Sequence, residues 1–125
     1  MIRVSREEFA QLVETALDEL PEEFRQFVEE VPVEIWDRPT PQQLRRAKVP
    51  SNGLLLGLYE GRPRTRRSVE DSGVMPDVIY IFQEHIEAVA RTPEELVRQV
   101  RVTVLHEIGH HFGMSEEDLE RLGYR

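Results

Sequence analysis

The longest helix predicted from the sequence ends within residues 104–120, VLHEIGHHFGMSEEDLE. Upstream, Thr92-Pro93-Glu94-Glu95 has the Thr-x-x-Glu pattern of a capping box, so we expect the helix to run from about Pro93 to Phe112. Gly113 then occupies a favoured position for ending a helix. The apolar residues of this segment recur at helical spacing and form one arc: Leu96, Val97, Val100, Val104, Leu105, Ile108 and Phe112.

Two histidines of this helix lie largely on the side opposite the apolar arc. His106 and His110 are four residues apart, about one helical turn, so their imidazoles can converge on one metal ion. Glu107 is offset to the side of the pair, where its carboxylate can reach a water molecule on that metal. The pattern predicts two zinc ligands, His106 and His110, and a general base, Glu107. The alternative is an exposed helix face that carries histidines by chance.

The third ligand is sought beyond Gly113, where the pattern continues as H-E-x-x-H-x-x-G-x-x-E and ends at Glu116. A glycine in the left-handed conformation can turn the chain and bring Glu116 back towards the metal. Glu117 and Asp118 are alternatives, and a site without a third protein ligand also stays open. Ser115 and Asp118 equally fit a helix-capping pair, which would explain the acidic cluster without any metal.

The segment TVLHEIGHHFGMSEEDLERLG (residues 103–123) resembles the bacterial minimal-zincin family of small zinc metallopeptidases. The segment GVMPDVIYIFQEHIEAVA (residues 73–90) is similar to the strand that precedes the active helix in that family, and the resemblance covers about residues 31–122. It implies a compact mixed sheet packed with helices, zinc held by His106 and His110, and Glu107 as the base. Glu116 takes the third-ligand place, where the family usually has Asp. The metzincin peptidases share this spacing but add a C-terminal subdomain with a methionine turn, which nothing after Met114 resembles.

The rest of the chain predicts a small sheet with helices before and after it. We expect strands at residues 31–36, 54–60 and 77–83, and further helices from Ser5 to Leu20, over residues 21–30 and 41–47, and from Ser115 towards Gly123. Residues 61–76 look like a long loop. Because strands and helices do not alternate regularly, the fold class is α+β, a compact minimal zincin-like domain over residues 1–125.

Composition narrows the classes of partner. The chain of 125 residues has a formal net charge of −8 and a pI near 5.0, so we expect neither nucleic acid nor a membrane surface as partner. It has no cysteine, so histidine and carboxylate side chains must hold any metal. We find no signal-peptide core and no apolar run of membrane-spanning length, so we expect a cytoplasmic protein.

Several other residues have both a functional and a structural interpretation. We expect His111 to pack and His85 to be a surface histidine, although His85 can also approach the cleft. Three tyrosines are candidate oxyanion donors, with ordinary packing as the alternative: Tyr59, Tyr80 and Tyr124. An arginine cluster at residues 62–67 is either a solvated loop or a rim that recruits acidic substrates. The strand at residues 77–83 can present an edge to an extended peptide.

The leading hypothesis is a zinc metallopeptidase acting on a peptide or protein substrate. One alternative is a metal-dependent hydrolase like the endoribonucleases with H-x-x-x-H-x-x-G-x-x-H, although the last position here is Glu116 rather than histidine. Another is a non-catalytic, zinc-binding interaction module.

Overall fold

The structure is a computed structural model that describes residues 1–61, 77–111 and 113–121, with the backbone alone for residues 116 and 119. The predicted loop over residues 61–76 and its arginines lie outside the described residues, apart from Gly61. Six helices and three strands are described: α1 (Arg6–Asp18), α2 (Glu22–Glu30), β1 (Val33–Trp36), α3 (Pro41–Arg46), β2 (Gly57–Glu60), β3 (Val78–Phe82), α4 (Gln83–Val89), α5 (Pro93–His111) and α6 (Glu116–Arg121). This order confirms the predicted α+β class.

Three helices begin where the sequence has a capping residue. The hydroxyl of Ser5 accepts a hydrogen bond from the Glu8 N–H at 3.0 Å, and Thr92 Oγ1 does the same for Glu95 at 3.1 Å. Thr40 and Gln43 form a reciprocal capping box at the start of α3. These bonds satisfy backbone donors that the first turn of a helix leaves unpaired, which is why the predicted starts of α1, α3 and α5 are confirmed.

Helix α4 is missing from the prediction based on sequence, which leaves the residues after the third strand without a helix. This helix begins directly from the end of β3. Phe82 takes the N-cap position, and no side chain there makes a capping hydrogen bond. Since the start has no cap residue and the helix has seven residues, no local signal separates it from the strand.

The sheet has the strand order β1–β3–β2. β1 runs parallel to β3, with Ile35 opposite Ile81, and β2 runs antiparallel to it, with Leu58 opposite Tyr80. The central strand is therefore β3, and all five of its residues are buried. The prediction that residues 77–83 present a free edge to a peptide is wrong, because both edges of this strand are paired. In the described sheet the outer strands are β1 and β2.

The main core lies between the sheet and the helices α1, α4 and α5. Side chains of α5 supply its fully buried part, and Ile79 and Ile81 point to it from β3. The predicted apolar arc is confirmed for its described residues, except that Val97 is only partly buried, and Phe112 lies outside the described residues. The opposite face of β3 packs a smaller cluster that includes Trp36 and Leu58. The α5 residues concerned are Leu96, Val100, Val104, Leu105 and Ile108.

No helix in the described ranges combines the length and apolar character needed to cross a membrane.

Candidate metal and catalytic site

The last two turns of α5 bring His106 and His110 together. Their ring centroids are 5.9 Å apart and the ring planes make an angle of 47°. Two imidazoles that bind one zinc ion at ~2.1 Å in tetrahedral geometry have centroids roughly 5 Å apart. His106 is partly buried and its Nε2 atom is shielded from solvent, whereas His110 is exposed. The pair therefore fits the two-histidine part of a zinc site with only a small adjustment.

Glu107 is attached to the sheet by its carboxylate. Its Oε1 atom accepts a hydrogen bond of 2.8 Å from the backbone N–H of Tyr59 in β2. The Leu56 carbonyl accepts from the Phe82 N–H, so by the alternation of an antiparallel ladder the Tyr59 N–H points to the outer edge of β2. Helix α5 thus places Glu107 against the outer edge of the sheet, beside the two imidazoles.

The environment of Glu107 changes its acidity. Glu107 is partly buried, and the loss of solvent raises the pKa of its carboxyl group above the usual value for a glutamate. The Tyr59 N–H and the charge of His110 oppose that effect and lower the pKa in part. A carboxylate with a raised pKa is a stronger base, and only one of its oxygens takes part in the bond to β2.

The chain turns sharply after α5. Gly113 has φ of 76°, its N–H bonds the His110 carbonyl at 3.1 Å, and the Met114 N–H bonds the Gly109 carbonyl at 2.7 Å. This pair of hydrogen bonds is a Schellman C-cap, and Met114 packs against the main core as such caps favour. The predicted end of the long helix at Gly113 is confirmed, and the backbone begins α6 at Glu116.

The acidic residues after the turn have different surroundings. Asp118 accepts from the Ser115 N–H at 3.0 Å, Ser115 Oγ accepts from the Asp118 N–H at 3.1 Å, and Asp118 also pairs with Arg121. The Ser115 hydrogen bonds and the Arg121 charge lower the pKa of Asp118. The predicted capping pair is therefore confirmed. Glu117 is exposed, and the side chain of Glu116 lies outside the described residues.

The described side chains do not complete a metal site. Within the described ranges, no three His, Asp or Glu side chains are grouped closely enough to hold an ion. Of the predicted ligands, the described side chains bring together His106 and His110. Glu116 as third ligand stays a prediction.

An aromatic cluster borders the site, although the sequence did not indicate it. The His111 ring stacks on Tyr59 with centroids 4.3 Å apart, and Phe27 lies about 6 Å from both rings. The Tyr59 hydroxyl donates to Asp77 Oδ2 at 2.8 Å and lies 3.4 Å from His111 Nε2. His111 packs as expected. Neither Phe27 nor Asp77 has a spacing that would reveal this role.

The other candidates have structural surroundings. The Tyr59 hydroxyl is directed to Asp77, which does not favour an oxyanion role, and Tyr80 is buried with its ring edge-on to Trp36. Tyr124 lies outside the described residues. His85 Nδ1 lies 2.9 Å from the Leu55 nitrogen and 3.1 Å from the Leu55 oxygen, so it connects α4 to the segment before β2.

Comparison with known proteins identifies the family. A model of the zincin-like metallopeptidase family matches residues 28–124. The chain is a zincin-like metallopeptidase family member. A solved structure of a conserved hypothetical protein from Thermus thermophilus is similar at 22% identity, with a TM-score of 0.56, covering 87% of this chain and 94% of that one. At that identity the likeness supports the fold alone. A comparison with curated proteins finds no match.

Membership in the zincin-like family implies a metal, usually zinc. The donors of this zincin-like chain suit that metal, because zinc accepts imidazole and carboxylate ligands and the chain has no cysteine. The ring separation of His106 and His110 supports the same fit.

Proposed function

We propose that this zincin-like chain hydrolyses peptide bonds as a zinc-dependent metallopeptidase. His106, His110 and Glu116 hold the metal, and Glu107 is the general base. The observation that carries the proposal is the position of the Glu107 carboxylate, which accepts a 2.8 Å hydrogen bond from the edge strand β2 and follows His106 directly on α5. A base held next to paired imidazoles and a strand edge matches what peptide hydrolysis needs.

Bound zinc supplies a Lewis acid that lowers the pKa of water to about 7 and polarises a carbonyl group. Glu107 takes a proton from the attacking water and later delivers it to the leaving amine. The raised pKa of Glu107 favours the first of these transfers, because a more basic carboxylate accepts a proton from water more readily. The Tyr59 N–H fixes one carboxylate oxygen and so orients the other.

The peptide or protein substrate binds along the outer edge of β2 as an added strand. β2 is an outer strand of the described sheet, and residue 59 directs its N–H outward to Glu107. An extended peptide on this edge would pass the carboxylate of Glu107. This corrects the expectation that residues 77–83 form the edge.

Glu116 is the proposed third ligand because the next two acidic residues, Glu117 and Asp118, are less suitable. Asp118 uses its carboxylate for the Ser115 cap and for Arg121. Glu117 is exposed on α6. The chain turns at Gly113, and α6 begins three residues later, at Glu116. Glutamate is one methylene longer than the aspartate that the resemblance leads us to expect.

Cleavage of a mixture of unmodified peptides, followed by mass spectrometry, tests the proposal. We expect the zinc-reconstituted chain to cleave, and Glu107→Gln to lose on the order of 10²–10⁴-fold in rate while keeping its zinc. Glutamine retains an oxygen for the Tyr59 N–H, so it is a matched control. Cleavage by Glu107→Gln at the parent rate would contradict the proposal. Zinc binding without any cleavage would favour the non-catalytic module instead.

A further inference from the structure

A groove of about 420 Å³ opens along helix α2. Its apolar part consists of Phe24, which is 9% exposed, and Phe27, which is partly buried. Its polar part consists of Glu23, Gln26 and Glu30, all exposed. The lining therefore combines an aromatic floor with two carboxylates.

This groove adjoins the candidate site through Phe27. The Phe27 ring centroid is 6.3 Å from that of Tyr59 and 6.1 Å from that of His111. Tyr59 holds Glu107 by its backbone N–H, and His111 directly follows His110. A peptide that passes Glu107 along β2 would thus have side chains within reach of the groove.

The carboxylates flank the aromatic ring. Glu23, Phe27 and Glu30 occupy positions i, i+4 and i+7 of α2, so they share one face over two turns, roughly 10 Å along the helix axis. Neither carboxylate has a hydrogen-bond or ion-pair partner among the described residues. Both charges are therefore available to a ligand that lies across the ring.

The lack of a basic side chain in its described lining distinguishes this groove from the four others described on the surface. Four other grooves each have at least one arginine in their lining. In the groove along α2, the described lining has two carboxylates and no basic side chain. The net charge of −8 adds a long-range attraction for cations. The arginines of the other grooves are Arg25, Arg6 with Arg38, Arg3, and Arg98 with Arg101.

We propose that this groove is a subsite for basic side chains of the peptide substrate. The aliphatic stem of an arginine or lysine packs on Phe24 and Phe27, and its charged end reaches Glu23 or Glu30. An acidic side chain would be repelled, and a purely apolar one would leave both carboxylates without a partner. The inference rests on the proposed peptidase function and specifies its substrate class.

Peptide binding measured by fluorescence anisotropy tests the subsite without any cleavage. The probe is a fluorescein-labelled peptide of alternating alanine and arginine, added to the full zinc-reconstituted chain carrying Glu107→Gln. We expect the additional changes Glu23→Gln and Glu30→Gln to weaken binding about five- to tenfold at physiological salt. With Glu23 and Glu30 intact, a peptide of alternating alanine and glutamine should bind no more tightly than the arginine peptide binds to the variant with Glu23→Gln and Glu30→Gln.

A matched control separates the groove from simple charge attraction. Glu7 and Glu14 are also exposed and seven positions apart on one helix, α1, but Gln11 lies between them in place of an aromatic ring. Glu7→Gln with Glu14→Gln removes the same charge, and we expect it to change the affinity by less than about twofold. Equal losses in the two double variants would overturn the subsite.

The outcome distinguishes failure of the subsite from failure of the peptidase proposal. Arginine-dependent binding at Glu23 and Glu30 without cleavage by the parent chain would support the groove and overturn the hydrolytic function. Cleavage by the parent chain at equal rates for arginine and glutamine peptides, unaffected by Glu23→Gln and Glu30→Gln, would overturn the subsite alone.

Discussion

Gly57 of strand β2 lies against Thr103 of helix α5. A Cβ atom added there would be 2.6 Å from Thr103 Cγ2 and 2.9 Å from the Tyr80 carbonyl oxygen. Both distances are shorter than ordinary contacts, so a side chain would push β2 away from α5. Tyr59, two residues further along, holds Glu107 by its N–H. A glycine at this position therefore allows the approach on which the proposed base depends.

Replacement of Gly57 by alanine tests that approach. We expect Gly57→Ala to lower the free energy of unfolding by about 1–3 kcal/mol, because the new methyl group meets backbone and a β-branched side chain. Urea denaturation measures the change. Gly61→Ala is the control, since the nearest atom to its Cβ among the described residues would be Asp77 Oδ1 at 3.8 Å. Equal stability of the two variants would show that β2 has room to move.

At the scale of elements, helix α6 depends on the cap formed by Ser115 and Asp118. The Ser115 backbone N–H is the largest cause that lowers the pKa of Asp118, and the Ser115 hydroxyl and Arg121 lower it further. A carboxyl group whose pKa is lower in the folded state adds stability above its unfolded pKa. That contribution is lost as the pH falls through the lowered folded pKa.

A carbon-13 NMR titration of Asp118 tests the cap. We expect a pKa below the ordinary range of an aspartate in the parent chain. Ser115→Ala removes the hydroxyl but keeps the backbone N–H, which is the largest cause of the low pKa, so we expect the pKa of Asp118 to rise and yet to stay below the ordinary range. An ordinary pKa of Asp118 in Arg121→Gln, with no change in Ser115→Ala, would assign the low pKa to the ion pair instead of the cap.

Helix boundaries were predicted well where a side chain specifies them locally. Ser5, Thr40 and Thr92 accept the N–H bonds expected of caps, and Gly113 has the positive φ expected of a helix end. Helix α4 has no such residue and was missed. The position of β3 between two strands was also missed, because strand order depends on contacts between distant segments that periodicity does not encode.

The candidate site likewise combines features that local sequence spacing predicts with contacts between distant residues that it does not. His106, Glu107 and His110 follow from spacing on one helix, and α5 carries all three. The contact between Glu107 and Tyr59 joins residues 48 positions apart, and the stack between Tyr59 and His111 joins residues 52 positions apart. Neither contact has a sequence signal. These supporting contacts could therefore be identified only from the structure.

At the scale of the whole molecule, metal binding and stability should be coupled. The proposed ligands lie on α5 and α6, and their arrangement depends on the Gly113 turn and on packing of α5 against the core. An ion that binds the folded chain and not the unfolded one stabilises the fold by mass action. Removal of zinc should therefore lower the melting temperature of the entire domain.

Thermal denaturation with and without zinc tests this coupling. At about one hundred times the dissociation constant, we expect zinc to raise the Tm of the parent chain by about 10 °C. The shift should disappear in His106→Ala and persist in His85→Ala, whose imidazole contacts Leu55 rather than the site. A zinc-dependent shift that survives His106→Ala would place the metal elsewhere.

Zinc content after reconstitution and exhaustive dialysis tests the proposed site most directly. We expect about one zinc per chain for the parent protein, loss of zinc in His110→Ala and Glu116→Ala, and retention in Asp118→Ala, whose side chain serves the α6 cap. No zinc on the parent protein at micromolar concentration would contradict the site. Loss in Asp118→Ala with retention in Glu116→Ala would show that the third ligand has been assigned to the wrong residue.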